Sequence, residues 1–230
     1  AMIYLLFNEG YTSIAEEAPQ RAPLCEEAIR LGRLLLRLYP SDPEIGGLTA
    51  LMLLNHARRA ARFDATGAIV LLEDQDRSLW DRKAIAEGLS MTGDAFHTRR
   101  PGPYLLQAAI SAEHARAATA ADTDWKRIDL IYAVLEEVAP SPIVTLNRAV
   151  AVAKVRGSAE ALAMVEPLAG RLASYFHFHG LRGWLLADLG RKEEARAAFR
   201  QAEKLAASPA EADHIRTRIA ELDGKTGKTA

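Results

Sequence analysis

Apolar side chains recur every three or four positions along almost the whole of this sequence. Leu24, Ala28, Leu31, Leu35 and Leu38 form one such stripe, and Glu26, Arg30, Arg33 and Arg37 line its other side. A 3.6-residue period gathers the stripe on one face of a helix, and that face has to be buried against another element. Since nearly every other segment carries the same period, the partners on offer are helices. The chain therefore reads as all-α, built from antiparallel helical hairpins.

Proline, glycine and serine divide the pattern into elements. Tyr39-Pro40 ends the first long helix, and Ser41 with Glu44 reads as a capping box opening the next. That second helix is apolar almost all round at residues 48–54, which makes it central. Asn55 and His56 at its end then read as buried or half-buried polar groups with internal partners. Further helices are expected at about 81–97, 103–120, 124–139, 142–156, 158–170, 174–189, 192–206 and 209–222. Ser141-Pro142 and Ser208-Pro209 supply a cap followed by a proline at the first helical position, and Glu211 completes a second capping box. Gly157 and Gly190 stand where helices should turn. The exception to the helical period is residues 68–72, preceded by Asp64-Ala-Thr-Gly67, which reads as one small β-hairpin near 62–72.

A repeat stands out in the C-terminal part. Gly183-Trp-Leu-Leu-Ala-Asp-Leu-Gly190 is followed by Ala195, Phe199, Ala202 and Pro209, close to the tetratricopeptide pattern. Small residues let two antiparallel helices approach, the glycine closes the turn, and the aromatic ring fills the gap to the next pair. A weaker copy precedes it, with Gly157 as the turn and Leu162 in the place of Ala195. The expected organisation is a helical part at 1–140, tetratricopeptide-like hairpins at 141–222 and a frayed tail at 223–230, together one compact unit.

Composition excludes several classes of function. Twenty-nine basic and 30 acidic side chains leave a net charge of −1, so no global field draws the chain to nucleic acid or an anionic membrane. The longest apolar stretches, 2–7 and 48–54, fall far short of the roughly 20 residues that span a bilayer. A lone cysteine, Cys25, reads as a structural thiol. The expectation is a cytoplasmic protein.

No local signature of catalysis is present. Glu73, Asp74 and Asp76 lack the glycine and distal glutamate of an EF-hand, so they are read as helix-capping acids, with Arg77 pairing to one of them and Trp80 in the core. The six histidines form no His-x-x-x-His pair, and neither a phosphate loop nor a nucleophile elbow occurs. No metal and no cofactor is expected. What remains is a set of polar and aromatic residues on otherwise apolar helices: Asp76, Arg77, Trp80, Tyr104, Gln107, His114, Asp124, Trp125, Asn147 and Arg148. These form either an interior hydrogen-bond network or the lining of a pocket.

Five segments carry a resemblance: Tyr4-Leu-Leu-Phe-Asn-Glu-Gly-Tyr11; Leu71-Leu-Glu-Asp-Gln-Asp-Arg77 with Trp80-Asp81; Gly102-Pro-Tyr-Leu-Leu-Gln-Ala-Ala-Ile110; Thr123-Asp-Trp125; and Ser141-Pro142 with Leu146-Asn-Arg-Ala-Val150. In this order they resemble the C-terminal extension of a group of bacterial extracytoplasmic-function (ECF) RNA polymerase sigma factors. The resemblance implies a tetratricopeptide-like helical domain without enzymatic activity, controlling the sigma regions to which it is joined. It implies as partners those sigma regions, RNA polymerase and a small YCII-like protein from a neighbouring gene, with no DNA binding by the extension itself. Neither of the two sigma modules, one for polymerase and the −10 element and one for the −35 element, occurs in these 230 residues. A ligand-sensing domain holding a small metabolite between helices is the other reading. A closed pocket around Gln107, Trp125 and Asn147 would favour it. The uncapped apolar run at 2–7 reads as part of a longer helix.

Overall fold

The computed structural model describes residues 2–11, 18–95 and 100–224, so the expected frayed tail falls mostly outside the described residues. Two compact units divide the chain, Ala1–Ala139 and Pro140–Ala230. Unit 1 contains α1 (Met2–Tyr11), α2 (Ala18–Leu38), α3 (Pro43–His56), α4 (Arg82–Ala95), α5 (Pro103–Arg116) and α6 (Trp125–Val138). Unit 2 contains α7 (Pro142–Arg156), α8 (Ser158–Val165), α9 (Phe176–Asp188), α10 (Lys192–Leu205) and α11 (Pro209–Leu222). Among the described residues no strand forms, and no helix is long and apolar enough to cross a membrane.

Unit 1 is arranged around α3, which packs against α2, α4 and α5. Its run from Gly47 to Leu54 is buried on every side, as its all-round apolar character requires. Close approach to α3 depends on missing side chains. A Cβ on Gly47 would lie 2.5 Å from the backbone of Leu105 on α5, one on Gly32 of α2 would meet Thr49 at 2.7 Å, and one on Gly88 of α4 would meet Leu54 at 2.8 Å. The first of these faces rigid backbone, so α3 and α5 touch main chain to main chain.

The ends of these helices are closed differently from the sequence expectation. Asp42, not Ser41, caps α3, its Oδ1 accepting from the N–H groups of Glu44 and Ile45. Glu44 does not reach back in a capping box. Its two carboxylate oxygens accept from the N–H groups of Tyr104 and Leu105, both at 3.0 Å, and so cap α5 from another helix. An anion there also suits the positive end of the α5 dipole. Gly102 leaves the room, because a Cβ at that position would fall 2.3 Å from the Glu44 carboxylate carbon.

The expected hairpin near 62–72 is reduced to a single antiparallel bridge, Phe63 to Ile69. Asp64 explains the turn: its Oδ1 accepts from the N–H groups of Thr66 and Ala68 and from the Thr66 hydroxyl, while Gly67 takes φ 83. The ladder then stops. Arg62 is tied to the Tyr11 carbonyl, and the chain bends again where Asp74 N–H meets the Leu71 carbonyl. Helix α5 ends four residues before its expected limit of 120; Ala117 is extended, and a 3₁₀ turn follows at Ala120–Asp122.

In unit 2 each helix packs against the next. Ser141 caps α7, and Ser208 caps α11 through the Glu211 N–H. The returning Glu211 carboxylate takes the N–H of Ala207 in place of that of Ser208 itself. Gly157 and Gly190 turn the chain with positive φ. Where α9 meets α10, the Phe199 ring occupies the space a Gly183 side chain would need, 2.6 Å from its Cβ position. Ala195 and Ala202 are fully buried.

Two glycine substitutions separate packing from helix propensity. Gly47→Ala drives a methyl into the Leu105 backbone and should lower stability by about 1–3 kcal/mol. Gly93 on α4 has nothing within 4 Å of its Cβ position. Gly93→Ala should be neutral or raise stability by up to about 1 kcal/mol. Urea denaturation of the two variants beside the parent measures both.

Candidate functional site

The residues singled out in the sequence are carried by the two ends of α5 and by α7. Tyr104 and Gln107 sit in the first turns of α5. There Gln107 Nε2 donates to the Pro103 carbonyl at 3.2 Å, and the Tyr104 ring meets Tyr4 edge-on at 5.4 Å. Asn147 and Arg148 lie on α7 in unit 2, where Asn147 is exposed. Asp76, Arg77, Trp80, His114, Asp124 and Trp125 gather around the opposite end of α5, and this end carries the chemistry.

Arg77 is the pivot. It sits in a 3₁₀ turn, Arg77–Leu79, capped by Asp76, whose Oδ1 accepts from the Ser78 N–H. The Arg77 side chain is only 8% exposed, yet it pairs with no carboxylate, contrary to the sequence expectation. Its Nη1 donates instead to the carbonyls of His114 at 2.6 Å and Ala117 at 2.8 Å. These are orphan acceptors at the close of α5, and a cation suits that negative end. The guanidinium lies 4.6 Å above the Trp80 ring, which is 3% exposed among Leu54, Ala57, Ile85 and Ala112. Burial lowers the Arg77 pKa, and the charges of Arg58 and Arg82 push the same way.

His114 shares this environment. Its ring meets Trp125 edge-on at 5.2 Å. Burial, followed by the charges of Arg58 and Arg77, pulls its pKa down to about 4, so the imidazole is neutral at pH 7. Asp124 caps α6 through the Arg127 N–H and thereby sets Trp125 at the helix start.

Sequence reasoning missed three further arginines here. Arg58, just past the end of α3, donates from Nη2 to Asn55 Oδ1 at 2.7 Å and to the Tyr11 hydroxyl at 3.3 Å. Arg62 donates to the Tyr11 carbonyl and lies 4.0 Å over the Tyr11 ring. Arg82 donates to the Arg77 carbonyl at 3.2 Å. A signal did exist: no acidic residue stands three or four positions from Arg58, Arg59 or Arg62, so none of them can pair within its own helical turn. The contrast with Glu113 is instructive. That buried acid, also on α5, receives two arginines, Arg116 at 2.6 Å and Arg127 at 3.1 Å.

Two buried polar atoms nearby have no hydrogen-bond partner, Trp80 Nε1 and Gln75 Oε1. Among the described residues no group of three His, Cys, Asp or Glu side chains is placed to hold a metal ion. In unit 2 a depression of about 230 Å³ lies between Trp184, Phe199, Lys192 and Arg218, and none of the residues singled out in the sequence lines it.

Comparison with known proteins adds two findings. Residues 1–96 match a family described as of unknown function, DUF6596. Over 229 residues the chain is 58% identical to an uncharacterized protein of Rhizobium meliloti (strain 1021), a match that takes in 100% of this chain and 54% of that relative. The chain thus spans about half the length of the curated relative it matches.

The site makes two physical predictions. Trp80→Ala should cost roughly 3–5 kcal/mol, as truncating a core aromatic does, and should be read from chemical denaturation. The second concerns acid. A folded-state His114 pKa near 4 lies below the ordinary 6.5, so the unfolded chain binds the proton more tightly. His114 therefore contributes stability that is present above pH 6.5 and is lost as the pH falls towards 4. His114→Gln should flatten this acid limb without abolishing it, because burial also lowers the pKa of His56 and His177. Melting temperatures from pH 7.5 to 4 follow the effect.

Proposed function

We propose that this chain is a non-catalytic regulatory domain that docks onto ECF sigma regions in a longer protein and biases their engagement with RNA polymerase. One observation carries the reading. Leu130, Val134 and Val138 of α6, spaced four apart, are 67%, 40% and 45% exposed, an apolar stripe on the surface of unit 1. Such a stripe is what a helix presents to a partner helix or loop. The partial cover of the relative agrees, since a chain matching about half of a longer protein has the rest of that protein as a natural neighbour. The five sequence segments that resemble the sigma-factor extension support sigma regions as that neighbour.

In unit 2 the meeting of Gly183 with Phe199, the buried Ala195 and Ala202, and the turn at Gly190 support a tetratricopeptide-like arrangement of hairpins. Stacked hairpins offer a broad docking surface, and docking energy of a few kcal/mol is enough to tip a bistable partner. The near-zero net charge supports the absence of direct DNA binding. A second reading, a domain that senses a small ligand, is favoured by the unpaired arginines at the end of α5.

The test is transcription from the cognate promoter, run with the joined sigma regions alone, with this domain attached and with the domain supplied separately. The domain should change output when attached or added, and identical output in all three arms would remove the regulatory role. Leu130→Asp with Val134→Asp should abolish the effect while shifting stability by less than about 1 kcal/mol, since both sites are exposed. Promoter binding by this chain alone would contradict the assignment.

A further inference from the structure

Positive charge gathers at the C-terminal end of α5. Arg58, Arg62, Arg77 and Arg82 are linked there through Tyr11, Asn55 and the main chain of residue 77, and among the described residues none of the four forms an ion pair with a carboxylate. Helix ends account for part of this. The C-termini of α1, α3 and α5 each present about half a negative charge, roughly −1.5 against four cations. Two acids lie in reach, and both keep their charge while accepting from neutral donors. Asp81 accepts from the N–H groups of Lys83 and Ala84, and Asp122, the acid whose charge favours a protonated Arg77, accepts from Thr119. With these two carboxylates counted, the group is close to balanced in charge, and its surplus lies in hydrogen-bond donors.

The donors are in surplus. Arg77 uses Nη1 on two carbonyls, which leaves Nε–H and the Nη2 amino group without a protein partner. Arg58 uses only Nη2. The Nε1–H of Trp80, beneath the Arg77 guanidinium, is a buried donor with no acceptor. A chain that places two arginines on a single buried glutamate in this same unit bonds none of these four cations to an acid among the described residues. Planar guanidinium forks with open donors suit the oxygens of a tetrahedral dianion.

We propose that this junction binds a small phosphate-type dianion, held by Arg58 and Arg77, with Arg62 and Arg82 adding to the field. The inference is independent of the docking reading: a bound dianion would tie the ends of α3 and α5 to the 3₁₀ turn at Arg77 whether or not sigma regions dock on α6. It assigns a ligand class to the sensing reading.

The experiment titrates the intact chain with inorganic phosphate and, separately, with glycerol 3-phosphate, at fixed pH and with ionic strength held constant by chloride. Both should raise the melting temperature saturably and move the Trp80 indole N–H resonance in two-dimensional NMR, where chloride alone does neither. Tighter binding of the monoester would identify an organic phosphate as the ligand, and equal affinities would identify the free ion. Arg58→Gln should weaken the apparent Kd about tenfold, the loss of one or two charge-assisted hydrogen bonds. Because Arg77 also closes α5, the second variant is Arg82→Gln, which leaves that closure intact and should weaken binding more modestly. The absence of saturable binding of either phosphate, or the same Kd in the parent and in Arg58→Gln, would overturn the proposal.

Discussion

Helix α5 is closed at both ends by charges brought from elsewhere in the chain. Glu44 accepts from the N–H groups of residues 104 and 105, and Arg77 donates to the carbonyls of residues 114 and 117. Each charge has the sign that the helix dipole favours at its end. Between these two clamps Gly47 lets α3 lie directly on the α5 backbone. The clamps fix the position of α5 along its axis, and the glycine fixes its distance from α3. The placement of Trp80, His114 and the arginine group follows from both.

Much of this architecture was legible in the sequence because helical periodicity is a local property. Most helices begin and end within two residues of where proline, glycine and capping serine place them, as at 142, 157, 190 and 209. Legibility failed wherever a side chain reached out of its own turn. Ser41 and Glu44 matched a capping box, yet Glu44 is engaged 60 residues away. Arg77 follows three acids, and proximity in sequence suggested one of them as partner. Its actual acceptors are carbonyls 37 and 40 residues away, a pairing that no local pattern encodes. The same long reach shortened α5 and confined the expected hairpin to one bridge.

The candidate site was partly readable for the same reason. Residue type alone drew attention to Arg77, Trp80, His114 and Trp125, which the fold does assemble at one end of α5. It equally drew in Tyr104 and Gln107, which belong to the other end, and Asn147, which stands exposed on α7. Arg58 and Arg62 escaped because arginine after an apolar helix is unremarkable in a sequence. Only the fold reveals that Arg58 lies beside the buried Arg77 and that Arg62 turns to Tyr11.

The two units differ in how far apart in sequence their partners lie, and this bears on how each tolerates loss of a part. In unit 2 every helix leans on its immediate successor, as Gly183 does on Phe199, so ordering can spread step by step and an end can be shed without undoing the remainder. In unit 1 the caps of α5 come from residues 44 and 77, so this helix gains its closure only after two distant segments have arrived. Cutting between α4 and α5 would leave α5 without either of its caps. Unit 1 is thus held all or none, as a single cooperative block, while unit 2 can come apart in stages.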